Sequence, residues 1–264
     1  MADFHFPLPN SHFELYSHSR FTMLDLLLPN WPAPDRIGAA STTRQGGVSR
    51  APYDSLNLGD HVGDDPAAVA ANRALLVDAL SLPADPLWLT QVHGTTVVDA
   101  ARGTAGVRAD ASVAFEPGVV CAVMTADCLP VLFCDAAGTK VGAAHAGWRG
   151  LHAGVLEATV QALGGGGDLI AWLGPAIGPD AFQVGAEVRA AFLDADPGAA
   201  GAFRPDGERW LADIYTLARR RLAACGVRSV HGGGLCTCTE RERFFSYRRD
   251  ATTGRMASLI WIRP

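Results

Sequence analysis

Four short runs of this chain carry no charged side chain and almost no polar one: Val119–Met124, Val131–Cys134, Val141–Ala144 and Leu169–Leu173. A strand with one wet face alternates apolar and polar residues, whereas a strand covered on both faces is apolar throughout. The chain must therefore build sheets with material packed against both sides. Further strand-like runs occur at Ile37–Ser41, Leu87–Val92, Val227–Val230 and Leu259–Ile262.

Four helical patterns are mixed among them. Asp64-Asp65-Pro66 is a good helix start, with a carboxylate near the cap and proline in the first turn, and predicts a helix running to about Leu80. A second begins near Trp148, with Leu151, Val155 and Thr159 on one face, and Gly164 to Gly167 reads as its stop and a turn. The others run from about Gly185 to Leu193 and from about Leu211 to Cys225, the last closing at a left-handed Gly226. Strands and helices do not alternate strictly. The expected class is α+β, a single layered α/β domain with mixed sheets covered by helices, over residues 36–264. Residues 1–35, rich in Pro, His and aromatics, read as an irregular N-terminal arm.

Composition narrows the partners. A net charge of -5 disfavours nucleic acid, whose phosphates call for a basic face. No apolar run approaches the roughly 20 residues of a membrane-spanning helix, so no membrane partner is expected. The first residues lack the basic region of a secretory signal, and the expected location is cytoplasmic. The six cysteines are then expected to be reduced, with Cys121, Cys134 and Cys225 as small core residues.

Chemistry is suggested where strand-like runs break. Gln91-Val92-His93-Gly94, Thr125-Ala126-Asp127-Cys128 and Ala144-His145-Ala146-Gly147-Trp148-Arg149-Gly150 each follow an apolar run and place a His or Cys beside small or polar residues. One Cys and two His suffice to hold a zinc ion with an open fourth position, the mark of a catalytic site. Taken singly, each has an ordinary explanation: a hydrogen-bonded His at a strand end, a buried Cys beside a capping Asp, a tight turn that needs small residues. The ligands are 35 and 17 residues apart, which matches no local zinc-finger spacing, so only the fold can bring them together. A helix start at Trp148 beside Arg149 reads as an anion cradle. His231, Cys236 and Cys238 form a rival metal group, but a Cys-x-Cys pair fits the usual zinc spacings poorly.

Polar groups also cluster in Ser41-Thr42-Thr43-Arg44-Gln45-Gly46-Gly47, in Tyr53 through Gly59 with Asn57, and in Phe244-Phe245-Ser246-Tyr247-Arg248-Arg249-Asp250. The first two are compatible with ordinary loops, and the last with either base stacking or half-buried core. Together with the three breaks and Leu173-Gly174-Pro175-Ala176-Ile177-Gly178-Pro179, these blocks resemble the YfiH or laccase-domain family, in order from about residue 36 to the C-terminus. The resemblance implies zinc on His93, Cys128 and His145. It implies purine nucleoside phosphorylase activity on adenosine, inosine, guanosine and methylthioadenosine, with adenosine deamination as a second activity. Purine nucleosides and phosphate are the implied partners. Asp127, Cys128 and His145 are the expected catalytic group, and Ser41, Arg44, Asn57, Arg149, Tyr247 and Arg248 the expected substrate contacts. The Cys236-Thr237 pair resembles a family motif.

Three rival readings stand beside this one. Cys128 with His145 as base suits a metal-free cysteine hydrolase, for which the resemblance implies a peptidoglycan precursor as substrate. A copper polyphenol oxidase needs many His ligands, often as His-x-His pairs, and this chain has eight His and no such pair. A nucleotide- or glycan-binding module would keep the cations and aromatics without needing His93, Cys128 and His145 together.

Overall fold

The runs that are apolar throughout form the middle of the molecule. The structure, a computed structural model, describes residues 24–264, so the first 23 residues of the expected arm lie outside the described residues. A six-stranded sheet runs in the spatial order Ser229–Gly232, Leu169–Leu173, Leu129–Asp135, Val141–Ala146, Ala111–Ala114, Val97–Asp99. Its two outermost pairings are parallel and the three inner ones antiparallel, which makes the sheet mixed. A four-stranded antiparallel sheet runs Leu26–Leu27, Ile37–Thr42, Met256–Ile262, Val120–Thr125. Leu26–Leu27, within the arm, thus pairs with Thr42 and Ser41 at that sheet's edge.

Alternate side chains sort into separate cores, because successive residues of a strand point to opposite faces. Leu129, Val131, Phe133, Leu169, Ala171 and Leu173 pack under the helices Trp148–Ala153, Val155–Ala162 and Ile214–Ala224. Leu132, Cys134, Ile170 and Trp172 point the other way and meet Cys121, Val123, Ile260 and Ile262 of the smaller sheet. The outer face of that sheet, with Val120, Ala122, Leu259 and Trp261, is closed by Leu76 of the helix Pro66–Leu80 and by Leu56 and Leu58. The result is four layers, helix, sheet, sheet, helix. Both sheets are covered on both sides, and no polar face survives in their central strands.

Small residues in Val141–Ala146 let the helix layer sit close. A Cβ at Gly142 would lie 3.3 Å from both Leu163 and Val113. The expected helix at Trp148 is interrupted at Gly154, whose φ of 102° only glycine adopts readily, so a six-residue helix precedes a separate one. The expected helix from Leu211 begins instead at Ile214, capped by Asp213, because residues 209–212 pair in a three-stranded sheet with Phe203–Asp206 and Gln183–Val184. Gly226 ends that helix at φ 82° as anticipated. The expected strand Leu87–Val92 makes only isolated bridges at Leu87 and Thr90. Among the described residues no helix is long and apolar enough to cross a membrane.

Candidate metal centre

His145 lies in a central strand and pairs in register with Pro130 of the neighbouring strand, which places Cys128 and Gly147 side by side where the two strands end. Gln91 brings the third segment to this spot. Its side-chain amide donates to the Met124 carbonyl and accepts from the Met124 N–H, both at 2.7 Å, tying the loop before His93 to the smaller sheet. His93 then turns at φ 60°.

One residue organises the whole corner. Asp110, fully buried, accepts the backbone N–H groups of Val92, His93 and Gly94 and the Nδ1–H of His145 at 2.9 Å. Its own carbonyl accepts the His145 backbone N–H at 2.7 Å. Burial alone would raise the Asp110 carboxyl, but the His145 hydrogen bond and the backbone donors outweigh it and hold the group below the usual carboxylate range. Because Nδ1 of His145 is committed to Asp110, Nε2 is the nitrogen left to bind a metal.

His93, Cys128 and His145 offer ligand atoms that all lie within 4.8 Å of one another, with Cys128 Sγ 3.8 Å from His93 Nε2. In a tetrahedral zinc site, ligand atoms sit about 3.3–3.6 Å apart, so the group is within roughly an ångström of closing on one ion. Two imidazoles and a thiolate suit a borderline-soft divalent metal and leave one position open. Among the described residues this is the one group of three or more such side chains arranged to hold a metal ion, and His231, Cys236 and Cys238 are not brought together as a second.

Without a metal the same residues form an ion pair. Burial pushes the Cys128 thiol up, yet the His145 and His93 rings beside it bring it down to about 6. Burial pulls His145 down, yet the Cys128 thiolate and the Asp110 carboxylate raise it to about 9. Between these values the metal-free pair is thiolate and imidazolium. The thiolate is therefore far more populated at neutral pH than the few per cent of an ordinary thiol. Iodoacetamide is therefore expected to label Cys128 of the metal-free protein at a rate that levels off above about pH 7. An inflection at pH 8–9 instead, read by mass spectrometry across pH, would contradict the ion pair.

The site opens into a cavity of about 550 Å³, lined by Asp127, Arg149, Tyr247, Arg248 and Arg255 among others. Asp127, at φ 88°, accepts the Thr237 hydroxyl and the Arg248 backbone N–H, each at 2.6 Å, and does not bond His145. Arg149 lies over the Trp148 ring, and Arg248 donates to the Gln183 carbonyl. Three expected substrate contacts lie elsewhere. Ser41 is buried in the smaller sheet against Ser258. Asn57 is fully buried and spends its amide on Gly59, Asp64 and Arg255. Arg44 lines a second cavity of about 400 Å³ and is engaged by Asp54.

Residues 38–263 match the family described as multi-copper polyphenol oxidoreductase laccase. A Pseudomonas aeruginosa protein named purine nucleoside phosphorylase is 61% identical over 239 residues, covering 89% of this chain and 98% of the relative. Purine nucleoside phosphorylase YfiH of Escherichia coli is 59% identical over 242 residues, covering 91% and 100%. The chain belongs to the YfiH laccase-domain family. Among solved structures, a Neisseria meningitidis protein of family DUF152 superposes with a TM-score of 0.87 at 53% identity, covering 90% of this chain and 99% of that one. YlmD from Geobacillus stearothermophilus gives 0.83 at 31%, covering 92% and 100%.

Within this YfiH-type corner, Gly147 explains its own lack of a side chain. A Cβ there would lie 2.8 Å from Cys128 Sγ and 2.9 Å from His93 Cδ2, although its backbone angles suit alanine. Gly147→Ala is expected to keep the fold and to weaken metal binding by about 10–100-fold, the range typical of disturbing a ligand's surroundings. Competition with a chromophoric chelator measures it, and an unchanged affinity would mean the ligand atoms do not close here.

Proposed function

We propose that this chain is a zinc-dependent, cytoplasmic purine nucleoside phosphorylase acting on adenosine, inosine, guanosine and methylthioadenosine, with adenosine deamination in the same cavity. The observation that carries the reading is the coincidence of an open three-ligand group and a cationic wall in one cavity of about 550 Å³. That volume lies in the usual range for a small-molecule site. The choice of reaction rests on the names of the relatives at 59–61% identity.

In phosphorolysis a phosphate oxygen bonds to the anomeric carbon of the sugar while the carbon–nitrogen bond to the base breaks. The bond pair leaves with the purine, which takes up one proton. Exposed Tyr247 supplies an aromatic surface for the base, and Arg149 and Arg248 supply positive charge near the phosphate. Asp127 holds the Arg248 segment through its backbone N–H, and each of its oxygens keeps a second lone pair for a substrate donor or a proton. His93, Cys128 and His145 would hold the zinc ion, which supplies Lewis acidity at its open position. Asp110 fixes the His145 tautomer for that task.

The one three-ligand group among the described residues suits one ion, whereas multi-copper oxidation needs several copper ions in electronic contact. The cysteine hydrolase on a peptidoglycan precursor is the alternative worth carrying, because Cys128, His145 and Asp110 form an oriented thiolate–imidazolium–carboxylate series. Product analysis with adenosine, with and without phosphate, on protein of known metal content separates the readings. Free adenine with ribose 1-phosphate supports phosphorolysis. Inosine alone supports deamination only. Neither product, with turnover of a peptide-bearing substrate that stops on alkylation of Cys128, would replace the proposal with the thiol route.

A further inference from the structure

Arg255 occupies an unusual position on the cavity wall. It follows Gly254 immediately before the strand Met256–Ile262, and its guanidinium is largely taken out of water, which pulls its pKa down. Its Nη1 donates to the Thr253 and Gly254 carbonyls at 3.0 Å, and its other guanidinium N–H groups have no acceptor among the described residues. No carboxylate of the described residues lies within 4.0 Å of it, and the same holds for Arg149 and Arg248 on the same cavity. Cys128 and Asp127 offset part of this burial from a distance, but Asp127 makes its hydrogen bonds to Thr237 and to the Arg248 backbone and none to Arg255.

A desolvated guanidinium without a carboxylate is costly, and proteins keep one where an anion arrives to complete it. The surroundings are built to hold this one in place. Asn57 Oδ1 accepts both the Arg255 and the Gly59 backbone N–H groups at 2.9 Å, and its amide nitrogen donates to the Gly59 carbonyl and to Asp64. The Arg255 stem lies across Gly59 so closely that a Cβ there would meet Arg255 Cγ at 2.8 Å. Asn57 and Gly59 together therefore clamp the arginine from behind, and this explains an asparagine that does not line the metal cavity.

We infer that Arg255 is the core of an anion subsite for inorganic phosphate, with Arg149 lining the same cavity and the Asn57–Gly59 clamp as its positioning support. The guanidinium offers a planar fork that matches a phosphate edge in two parallel hydrogen bonds. The subsite rests on the phosphorylase reading for its role as the co-substrate's seat. Arg44, engaged by Asp54 at a separate cavity, has no part in it.

Calorimetric titration of metal-loaded protein with inorganic phosphate tests the subsite without requiring turnover. Arg255→Gln is expected to weaken phosphate binding at least tenfold and to raise the KM for phosphate in step, with metal content and nucleoside KM unchanged. Arg255→Lys should recover part of the loss, because the charge returns without the fork. Gly59→Ala should move phosphate affinity the same way with the charge intact. Wild-type protein that fails to bind phosphate, or an Arg255→Gln protein that keeps metal and phosphate affinity, would overturn the inference. Phosphate binding that depends on Arg255 in a protein that cleaves no nucleoside would sink the phosphorylase reading and leave the subsite standing.

Discussion

Cys128→Ala is expected to lose the bound metal and to cut turnover by at least about a thousandfold, since a catalytic metal's charge stabilisation is worth several kcal/mol. The substitution removes the one soft ligand of three, and the two imidazoles that remain bind a divalent ion far less tightly. The fold should survive. Cys128 sits at the mouth of the strand Leu129–Asp135 and is only half-buried, and no core layer depends on it. Metal content by atomic emission, far-ultraviolet circular dichroism and steady-state rates form the measurement. A folded, metal-loaded, active Cys128→Ala protein would remove the centre from the chemistry.

Asp110 should be as sensitive, and for a different reason. Asp110→Ala leaves three backbone N–H groups and the His145 ring without their acceptor in a fully buried place. Breaking such a paired, buried charge costs roughly 3–5 kcal/mol. Denaturant unfolding should show that loss in the midpoint. Asp110→Asn keeps the shape and one acceptor oxygen but weakens the hold on His145. Its expected mark is a 10–100-fold fall in metal affinity with a smaller loss of stability. If Asp110→Asn binds metal as the natural protein does, the carboxylate serves only the turn at His93.

The two predictions involve residues of unequal visibility. His93, Cys128 and His145 announce themselves as interruptions at the ends of apolar runs, where a His or Cys is chemically conspicuous. Asp110 does not. It lies in Ala109-Asp110-Ala111-Ser112-Val113, and the only hint is a carboxylate within a short apolar stretch. Asp127 drew attention instead because it adjoins Cys128, yet adjacency in the chain does not make it the partner of His145. Asn57 and Ser41 show the converse. Both belong to recognisable blocks, and both are buried supports with no atom on the metal cavity. An asparagine that binds a ligand and one that locks a turn look alike in a sequence, because the same amide serves either purpose.

The four-layer architecture was partly legible for a simple physical reason. Strands covered on both faces are apolar at nearly every position, and Val131–Cys134 and Leu169–Leu173 have that form. The segment Leu87–Val92 has the same look but spends its hydrogen bonds on isolated bridges and on the Gln91 side chain, which periodicity does not reveal. The hairpin at 203–212 leaves little mark in the sequence because its strands are short and largely exposed.

Local patterning thus determined the central strands and the approximate place of the helices, which residue types stand at their ends, and that both faces of the sheets are closed. Those properties depend on each residue's own preference for water or for neighbours a few positions away. Whether two imidazoles, a thiolate and an arginine without an ion-pair partner meet around one cavity depends on strand register and sheet order. Those are set by packing among residues as far apart in the chain as Asn57 and Arg255, and only the tertiary structure decides them.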